Sequence, residues 1–531
     1  MTKRFLSSGV CIAVLFCITG AGCTTVAPPP SLQLEEEAGS SRENSLQAQR
    51  PLEPEQTAGN TAVAQTEQQK APDPLGASTV QTEQEQREAA VVQTEQQKAS
   101  DPIGASTAQT KQEQRTELAA AQTEQEQREA AAAATGKNSF VVNDAAAFAQ
   151  AIAALNSAET DGTYTITLTG SLTSEPLVFT GTATKTIILK GDENPRTIQN
   201  NGNGALFSVP KTITLVLDKN ISLNGNRKDA ALVAVDGGTF IMQAGSALYG
   251  AGKSAVSLHN RATFMMRGGE IKDNTAGSHG KGGGVFVADS AFTLEAGSIS
   301  GNTEGISYGG GVFVTEGGTF TLQGGTIAAN SAHEAGGGVY LESGTLTMEG
   351  GAINDNTASY GGGVSLDDGT FTMHGGTLNG NKGYRGGGVY LHNSAALLLA
   401  AGTISGNTAS SSAFGGGGVY IHNQSSVMMA GGSISGNTAV SAGGGVYVDD
   451  RGTFTMEGGE LSGNTAVSAG GGVYVAHKSG TLRKKSGTID DTNAADAGKV
   501  VYISSSKQRN TTASPGVMLN STIAGSSGGW E

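Results

Sequence analysis

Cysteine is almost absent from this chain. Only Cys11, Cys17 and Cys23 occur among 531 residues, and all three lie near the N-terminus. The chain beyond Cys23 is therefore predicted to contain no disulfide and no zinc site built on thiolates. Its stability must come from side-chain packing and backbone hydrogen bonding.

Charged and aromatic residues are also scarce, at 15% and 5% of the chain, and the formal net charge is −14. No basic tract interrupts the sequence. Because phosphate binding requires clustered Lys and Arg, the composition argues against nucleic acid as a partner. The charge content is low for a globular enzyme. No pattern predicts a cofactor, and none predicts a metal site.

The apolar run near the N-terminus is too short to span a membrane. The N-terminus, "MTKRFLSSGVCIAVLFCITGAGC", has Lys3 and Arg4 before a short apolar stretch, which is typical of a secretory signal. Its end, "TGAGC", resembles a bacterial lipoprotein cleavage site. The resemblance implies a signal peptide over residues 1–22 and lipidation of Cys23. Ordinary signal cleavage nearby, which would give a secreted protein without a lipid, is the alternative.

Residues 23–136 have a low-complexity composition rich in Gln, Glu and Ala, without aromatic residues. "QTEQQKAPDPLGAST" at Gln65 returns almost unchanged at Gln93. Such a segment buries too little apolar area to offset chain entropy. We predict a disordered or partly helical spacer that would hold the following part away from a lipid surface.

The chain contains 80 glycine residues, most of them after residue 136, and one phrase is repeated in that part of the chain. "GTFTMEGGELSGNTAVSAGGGVYV" at Gly452 has counterparts at intervals of 25 to 30 residues. Three apolar columns keep their register through these changes of length. They contain Val285, Val312, Val339, Val364, Val389, Val419, Val446, Val473 and Val501; Phe264, Phe292, Phe320, Leu346, Phe371, Leu397, Val427, Phe454 and Leu482; and Ile271, Ile299, Ile327, Ile353, Leu378, Ile404, Ile434, Leu461 and Ile489.

Apolar residues within each phrase alternate with a period of two, which is typical of strands. Each unit is predicted to contain two short strands and a very short third, with glycine turns. A unit of this length predicts an all-β, right-handed parallel β-helix over residues 137–531, with regular repeats over about 260–505. Phe148, Ile152 and Leu155 are spaced as on a helix, so residues 137–170 are predicted to form an N-terminal cap with a short helix.

An asparagine recurs at one turn of each unit. Because Asn tolerates left-handed backbone and its amide can pair with the next Asn, we predict a structural Asn ladder. Its members are Asn274, Asn302, Asn330, Asn356, Asn381, Asn407, Asn437 and Asn464.

The phrase between this Asn and the glycine triplet varies most. It ranges from "TASY" (Thr357–Tyr360) to "TASSSAFG" (Thr408–Gly415). The variation falls on one edge of the predicted helix, where loop length costs little free energy. Binding through this edge and neutral drift in solvent are both compatible with the pattern.

The motifs "GGTIS", "GNT" and "GGGVYV" resemble the repeats of polymorphic outer-membrane proteins and of other bacterial right-handed β-helix surface proteins. The resemblance implies surface display and adhesion. The fold also carries polysaccharide-degrading enzymes, so it does not select a function. Those membrane proteins end in a long membrane barrel, whereas only residues 506–531 follow the last repeat here. Lipidation at Cys23 is therefore expected to provide the anchor.

Catalytic candidates lie three residues after the repeat Val on consecutive units: Glu342, Asp367, His392, His422 and Asp449. Because rungs are about 4.8 Å apart, Glu342 and Asp367 would approach the separation of about 5–5.5 Å that retaining glycosidases use. A solvated outer face without catalysis is the other interpretation.

Outward-facing aromatic residues form a further column next to these candidates. Ligand-binding candidates within it are Tyr340, Tyr390, Tyr420, Tyr447 and Tyr474. Stacked on a flat face, they would offer apolar area with a polar tip to a glycan or a partner protein. The alternative is that they only stack on each other.

Together these patterns predict an exported, lipid-anchored protein at the outer membrane or cell surface. We expect an adhesin or binding protein whose partner is host matrix, a glycan or a cell-surface protein. A polysaccharide lyase or glycoside hydrolase, and a spacer without a ligand, are the alternative hypotheses.

Overall fold

A computed structural model describes residues 138–275, 277, 280–304, 308–476, 479–504, 517–519 and 523–524. The predicted signal peptide, Cys23 and the spacer over residues 23–136 lie outside the described residues. The described chain winds into a right-handed parallel β-helix in which three sheets of 14 strands each run along the axis. The fold class predicted from the sequence is thereby confirmed.

The first sheet, here named the Phe sheet, contains the "TFTM" strands. Its side chains alternate between the interior and the surface, so Phe and Met face the core while Thr faces solvent. Its strands are Ser139–Val142, Gly162–Leu168, Lys185–Gly191, Ile213–Leu217, Thr239–Met242, Thr263–Met266, Ala291–Leu294, Thr319–Leu322, Thr345–Met348, Thr370–Met373, Ala396–Leu399, Ser426–Met429, Thr453–Met456 and Thr481–Lys484.

The second sheet, the Ile sheet, has short strands, and in the regular repeats only the central aliphatic residue of each strand faces inward. Its strands are Leu172–Ser174, Arg196–Asn200, Ile221–Asn224, Ser246–Tyr249, Glu270–Lys272, Ser298–Ser300, Thr326–Ala328, Ala352–Asn354, Thr377–Asn379, Thr403–Ser405, Ser433–Ser435, Glu460–Ser462, Thr488–Ile489 and Ile523–Ala524.

The third sheet, the Val sheet, contains the "VYV" strands that follow each glycine triplet. Its strands are Leu177–Val178, Phe207–Pro210, Val233–Asp236, Val256–His259, Val285–Ala288, Val312–Thr315, Val339–Glu342, Val364–Asp367, Val389–His392, Val419–Ile421, Val446–Val448, Val473–Val475, Val501–Ile503 and Val517–Leu519. The last strands of the Val and Ile sheets pair antiparallel to their neighbours, so the chain reverses direction at this end.

A fourth sheet, the edge sheet, was not predicted. It is formed by the variable phrase. Each variable phrase pairs with that of the next turn of the β-helix, here called a coil, instead of forming a loop. Its seven strands are Thr303–Glu304, Ser331–Ala332, Thr357–Tyr360, Lys382–Arg385, Thr408–Ala409, Thr438–Ala439 and Thr465–Ala466.

The core is one continuous column along the axis. Phe371, Leu397 and Val427 are in register on successive coils and are almost completely buried. Phe292 stacks on Phe320 with ring centroids 4.7 Å apart and planes 7° from parallel. Because each coil buries its apolar residues against the next, stability depends on contacts between neighbouring coils.

The Asn column lies inside the β-helix, here called the rod, next to the Ile sheet. Each Asn makes the same set of hydrogen bonds. Asn302 Nδ2 donates to Asn330 Oδ1 at 2.9 Å and to the Ile271 carbonyl at 3.0 Å, and the Asn302 backbone N–H donates to the same Asn330 Oδ1. All eight residues named from the sequence are buried. Asn493 continues the series, because Asn464 Nδ2 donates to Asn493 Oδ1 at 2.9 Å.

The N-terminal end of the core is closed by the helix Ala145–Ser157, which begins at the N-cap Asp144. Phe148, Ile152 and Leu155 are buried, and the Phe148 ring packs edge-on against Phe207 at 6.4 Å. Lys185 is buried beneath the helix and donates to the Leu155 carbonyl at 2.6 Å. The helix therefore supplies the apolar cover that the first coil lacks.

Candidate functional site

The catalytic candidates predicted from the sequence form one column at the end of the Val-sheet strands. Glu342 pairs in register with Asp367, and Asp367 pairs with His392. The rings of His392 and His422 stack at 5.4 Å with planes 17° from parallel. Parallel pairing without a register shift thus brings side chains from five separate phrases into one line.

Two of these carboxylates face the two histidines. Asp367 Oδ1 lies 3.6 Å from His392 Nδ1, and Asp449 Oδ2 lies 3.6 Å from His422 Nδ1. Along the axis the order is therefore Asp, His, His, Asp, with one carboxylate beside each imidazole. Distances of 3.6 Å are too long for hydrogen bonds, and the two contacts become ion pairs only when the imidazoles are protonated.

Each carboxylate is oriented by a further donor. Tyr420 OH donates to Asp449 Oδ2 at 2.6 Å, and Asn393 Nδ2 donates to Asp367 Oδ1 at 2.7 Å. Glu342 is engaged elsewhere, since its Oε2 accepts from Lys281 Nζ at 2.9 Å and from Thr315 Oγ1 at 3.0 Å. The side chains of this column therefore contact each other and neighbouring side chains of the same chain at the surface of the rod. An imidazole held beside a carboxylate is able to accept or release a proton.

The aromatic column differs from the sequence-based expectation. Its side chains point away from the main core, as predicted, but they are buried instead of forming a flat exposed face. Tyr420 is 0% exposed. Tyr340, Tyr390 and Tyr447 are also buried, while Tyr474 is half-buried. Burial raises the pKa of Tyr390 to about 12, and it also raises the pKa of Tyr420, where the hydrogen bond to Asp449 adds to the effect.

The variable phrase covers these rings. Tyr360 lies against Tyr390 at 5.1 Å, and Phe414 packs edge-on against Tyr420 at 6.5 Å. The Arg385 guanidinium lies 3.6 Å from the centre of the Phe414 ring, within cation–π range. The aromatic column therefore forms two further apolar clusters between the Val sheet and the edge sheet, one around Tyr340 and one around Tyr420.

The exposed surface of the edge sheet carries apolar side chains that the sequence analysis did not single out. Tyr384, Ser410, Val440 and Val467 occupy equivalent positions on successive coils, here named the edge column. Tyr384 and Val440 are each 45% exposed, and Val467 is 57% exposed. Their position in the variable phrase was the available signal. The strands that precede Ser410, Val440 and Val467 have only two residues each, so they show no alternation that assigns a side chain to a face.

Among the residues that the structure describes, no group of three or more His, Cys, Asp and Glu side chains is arranged to hold a metal ion. No helix within the same residues has the length and apolar character needed to cross a bilayer.

The His422 side chain is half-buried, and its Nδ1 atom is buried without a hydrogen-bond partner. Burial lowers the pKa of His422 from the ordinary value of 6.5, although Asp449 acts in the opposite direction. The folded protein therefore holds this proton less tightly than the unfolded chain does.

Acid should consequently destabilise the rod through His422. Its contribution to stability is complete above about pH 6.5 and is lost as the pH falls through the lowered pKa. We expect the urea midpoint of the wild type to fall between pH 7.5 and 5 by more than that of His422→Gln. Equal losses in both proteins would show that His422 does not contribute.

A family model described as "right handed beta helix region" matches residues 218–401, about a third of the chain. The match begins before the regular repeats and ends within them. In searches of curated proteins and of solved structures, nothing matched the chain.

Proposed function

We propose that this protein is an exported, lipid-anchored binding protein of the bacterial surface that attaches through its variable edge without catalysis. The supporting observation is the edge column. Six large apolar side chains are exposed in the described residues, and three of them, Tyr384, Val440 and Val467, lie on this one edge. Exposed apolar groups that cluster on one side of a soluble fold are typical of interaction sites.

Because the aromatic column is buried, we place the contact surface on the edge column and not on the tyrosine rings. Tyr390, Tyr420 and Tyr447 act as the support beneath the edge sheet and are not themselves the contact surface. Phe414 and Arg385 connect this support to the exposed strands. A rigid base with a variable outer layer favours recognition of a large partner such as host matrix, a glycan or a cell-surface protein.

The enzymatic alternative has less support. Glu342 is paired with Lys281, and Asp449 accepts from Tyr420, so both carboxylates are engaged within the rod. A retaining glycosidase requires two carboxyl groups that face one substrate. The two Asp–His contacts join neighbouring coils and need no catalytic role to account for them.

The binding proposal predicts the effect of removing the apolar groups of the edge column. The variant Tyr384→Ser/Val440→Ser/Val467→Ser should bind its partners on an array of purified matrix proteins and glycans at least tenfold more weakly. Burying one such side chain is worth about 1.5–3 kcal/mol, and about 1.4 kcal/mol corresponds to a factor of ten.

Met428→Ser is the matched control, because Met428 is 43% exposed but lies on the Phe sheet. It should bind as the wild type does. Circular dichroism should be unchanged in both variants, since the substituted side chains are exposed. Wild-type attachment by the triple variant would exclude the edge column as the contact surface.

Lipid attachment is tested at the predicted cleavage site. Cells that express the wild type in labelled palmitate should yield a labelled protein, whereas Cys23→Ser should yield an unlabelled one. Label on both proteins would overturn the proposed anchor. The readout does not depend on binding, so the two parts of the proposal fail separately.

A further inference from the structure

The Asp449 carboxylate lies between two groups that are able to donate a hydrogen bond to it. Its Oδ2 atom accepts a hydrogen bond from Tyr420 OH at 2.6 Å and lies 3.6 Å from His422 Nδ1. At present only Tyr420 is within hydrogen-bonding distance. A charged His422 would donate a charge-assisted bond to the same carboxylate, and such bonds are stronger than neutral ones.

Charged and titratable groups face His422 from every side. Asp449 and His392 lie on the neighbouring coils, and Asp450 lies at the turn that follows. Arg385 approaches from the edge sheet, and Tyr420 lies on the same strand with its ring 6.1 Å away. A proton on His422 is disfavoured by burial, attracted by the two carboxylates and opposed by His392 and Arg385.

Tyr420 connects the His422–Asp449 pair to the edge sheet. Its fully buried ring stacks on Tyr447 at 4.8 Å and meets Phe414 edge-on. Phe414 belongs to the variable phrase and is held by Arg385, which follows Tyr384 directly. A continuous series of contacts therefore runs from His422 through Asp449, Tyr420 and Phe414 to the exposed edge.

We propose that protonation of His422 draws Asp449 away from Tyr420 and loosens the segment around Phe414, so that the edge sheet responds to mild acid. The Tyr420 hydroxyl then lacks its acceptor inside an apolar cluster, which is unfavourable for a buried polar group. The packing of residues 410–416, which depends on Tyr420, becomes more open. This inference concerns the folded edge and does not depend on the proposed binding function.

Hydrogen exchange of the full chain tests the inference. Amide protection in peptides covering residues 410–416 is compared at pH 7.5 and 5.5, after correction for intrinsic exchange chemistry. In the wild type we expect protection to fall at least fivefold at pH 5.5. In His422→Gln, which cannot gain the charge, it should not change. His333→Gln removes an exposed histidine from another coil of the same edge and should behave as the wild type does.

Tyr420→Phe provides the second test, because it keeps the ring but removes the donor to Asp449. In this variant the amide protection of residues 410–416 should not depend on pH, since the bond between residue 420 and Asp449 is already absent. The proposal is overturned if wild-type protection is the same at both pH values, if His422→Gln shows the same loss, or if Tyr420→Phe retains the full effect.

Discussion

Replacing Asn381 by Ala should unfold the rod at a much lower urea concentration than the wild type requires. Asn381 Oδ1 accepts from both the backbone N–H and the Nδ2 of Asn356, and Asn381 Nδ2 donates to the Ile353 carbonyl at 2.8 Å. The alanine variant removes these bonds in a region closed to water. Asn356 Nδ2 keeps its bond to the Ile327 carbonyl, so two groups lose their partner, and at about 1–3 kcal/mol for each the expected loss is about 2–6 kcal/mol.

Asn379→Ala is the matched control, only two residues away. Asn379 is exposed, and its Oδ1 accepts from Ser405 Oγ at 3.3 Å. Its removal should change the free energy of unfolding by no more than about 0.5 kcal/mol. Urea denaturation followed by far-UV circular dichroism compares the two variants. Equal midpoints would mean that the ladder does not stabilise the rod.

The main core could be predicted from the sequence because its apolar residues recur in register from unit to unit. Phe371, Leu397 and Val427 keep their places in units of different length, and a period of two assigns each to one face. The coils before residue 260 were harder to align, since strands such as Val233–Asp236 follow neither a glycine triplet nor the recurring Asn. They nonetheless join the same sheets.

The burial of the aromatic column could not be predicted in the same way. Alternation shows that Tyr420 points away from the main core, but it does not show what lies beyond the ring. The answer depends on Phe414 and Arg385, which come from the variable phrase of two different coils. Those phrases differ in length and composition, so no periodic pattern indicated that they fold over the rings.

Short strands and small shifts in residue spacing explain why the edge sheet and Asn493 were not predicted. Edge strands such as Thr438–Ala439 have two residues, too few to show a period. Asn493 lies four residues after Ile489, whereas Asn464 lies three after Leu461, so alignment on the aliphatic column misses it. The backbone absorbs this shift, and the amide still reaches its place in the ladder.

A methyl group at Gly362 should destabilise the rod severely, although Ala is the smallest possible addition. Gly362 is the middle glycine of a triplet, where the Val sheet begins close to the next coil. An added Cβ would lie 2.3 Å from the Lys382 carbonyl oxygen and 2.6 Å from the Lys382 nitrogen. Both are backbone atoms of the neighbouring coil, so a side-chain rotation cannot relieve the overlap. We expect a loss of about 3 kcal/mol or more, at the upper end of the range for overpacking.

Gly436→Asn separates this effect from the general consequence of replacing a glycine. Gly436 has a φ of +62°, and only the Gly406 nitrogen, at 4.0 Å, lies near the position of an added Cβ. Asn tolerates this backbone conformation, so the larger side chain should cost less than the methyl group at Gly362. In urea denaturation Gly362→Ala should therefore unfold first. The reverse order would contradict the view that close backbone approach, and not turn conformation, requires glycine in the middle of the triplet.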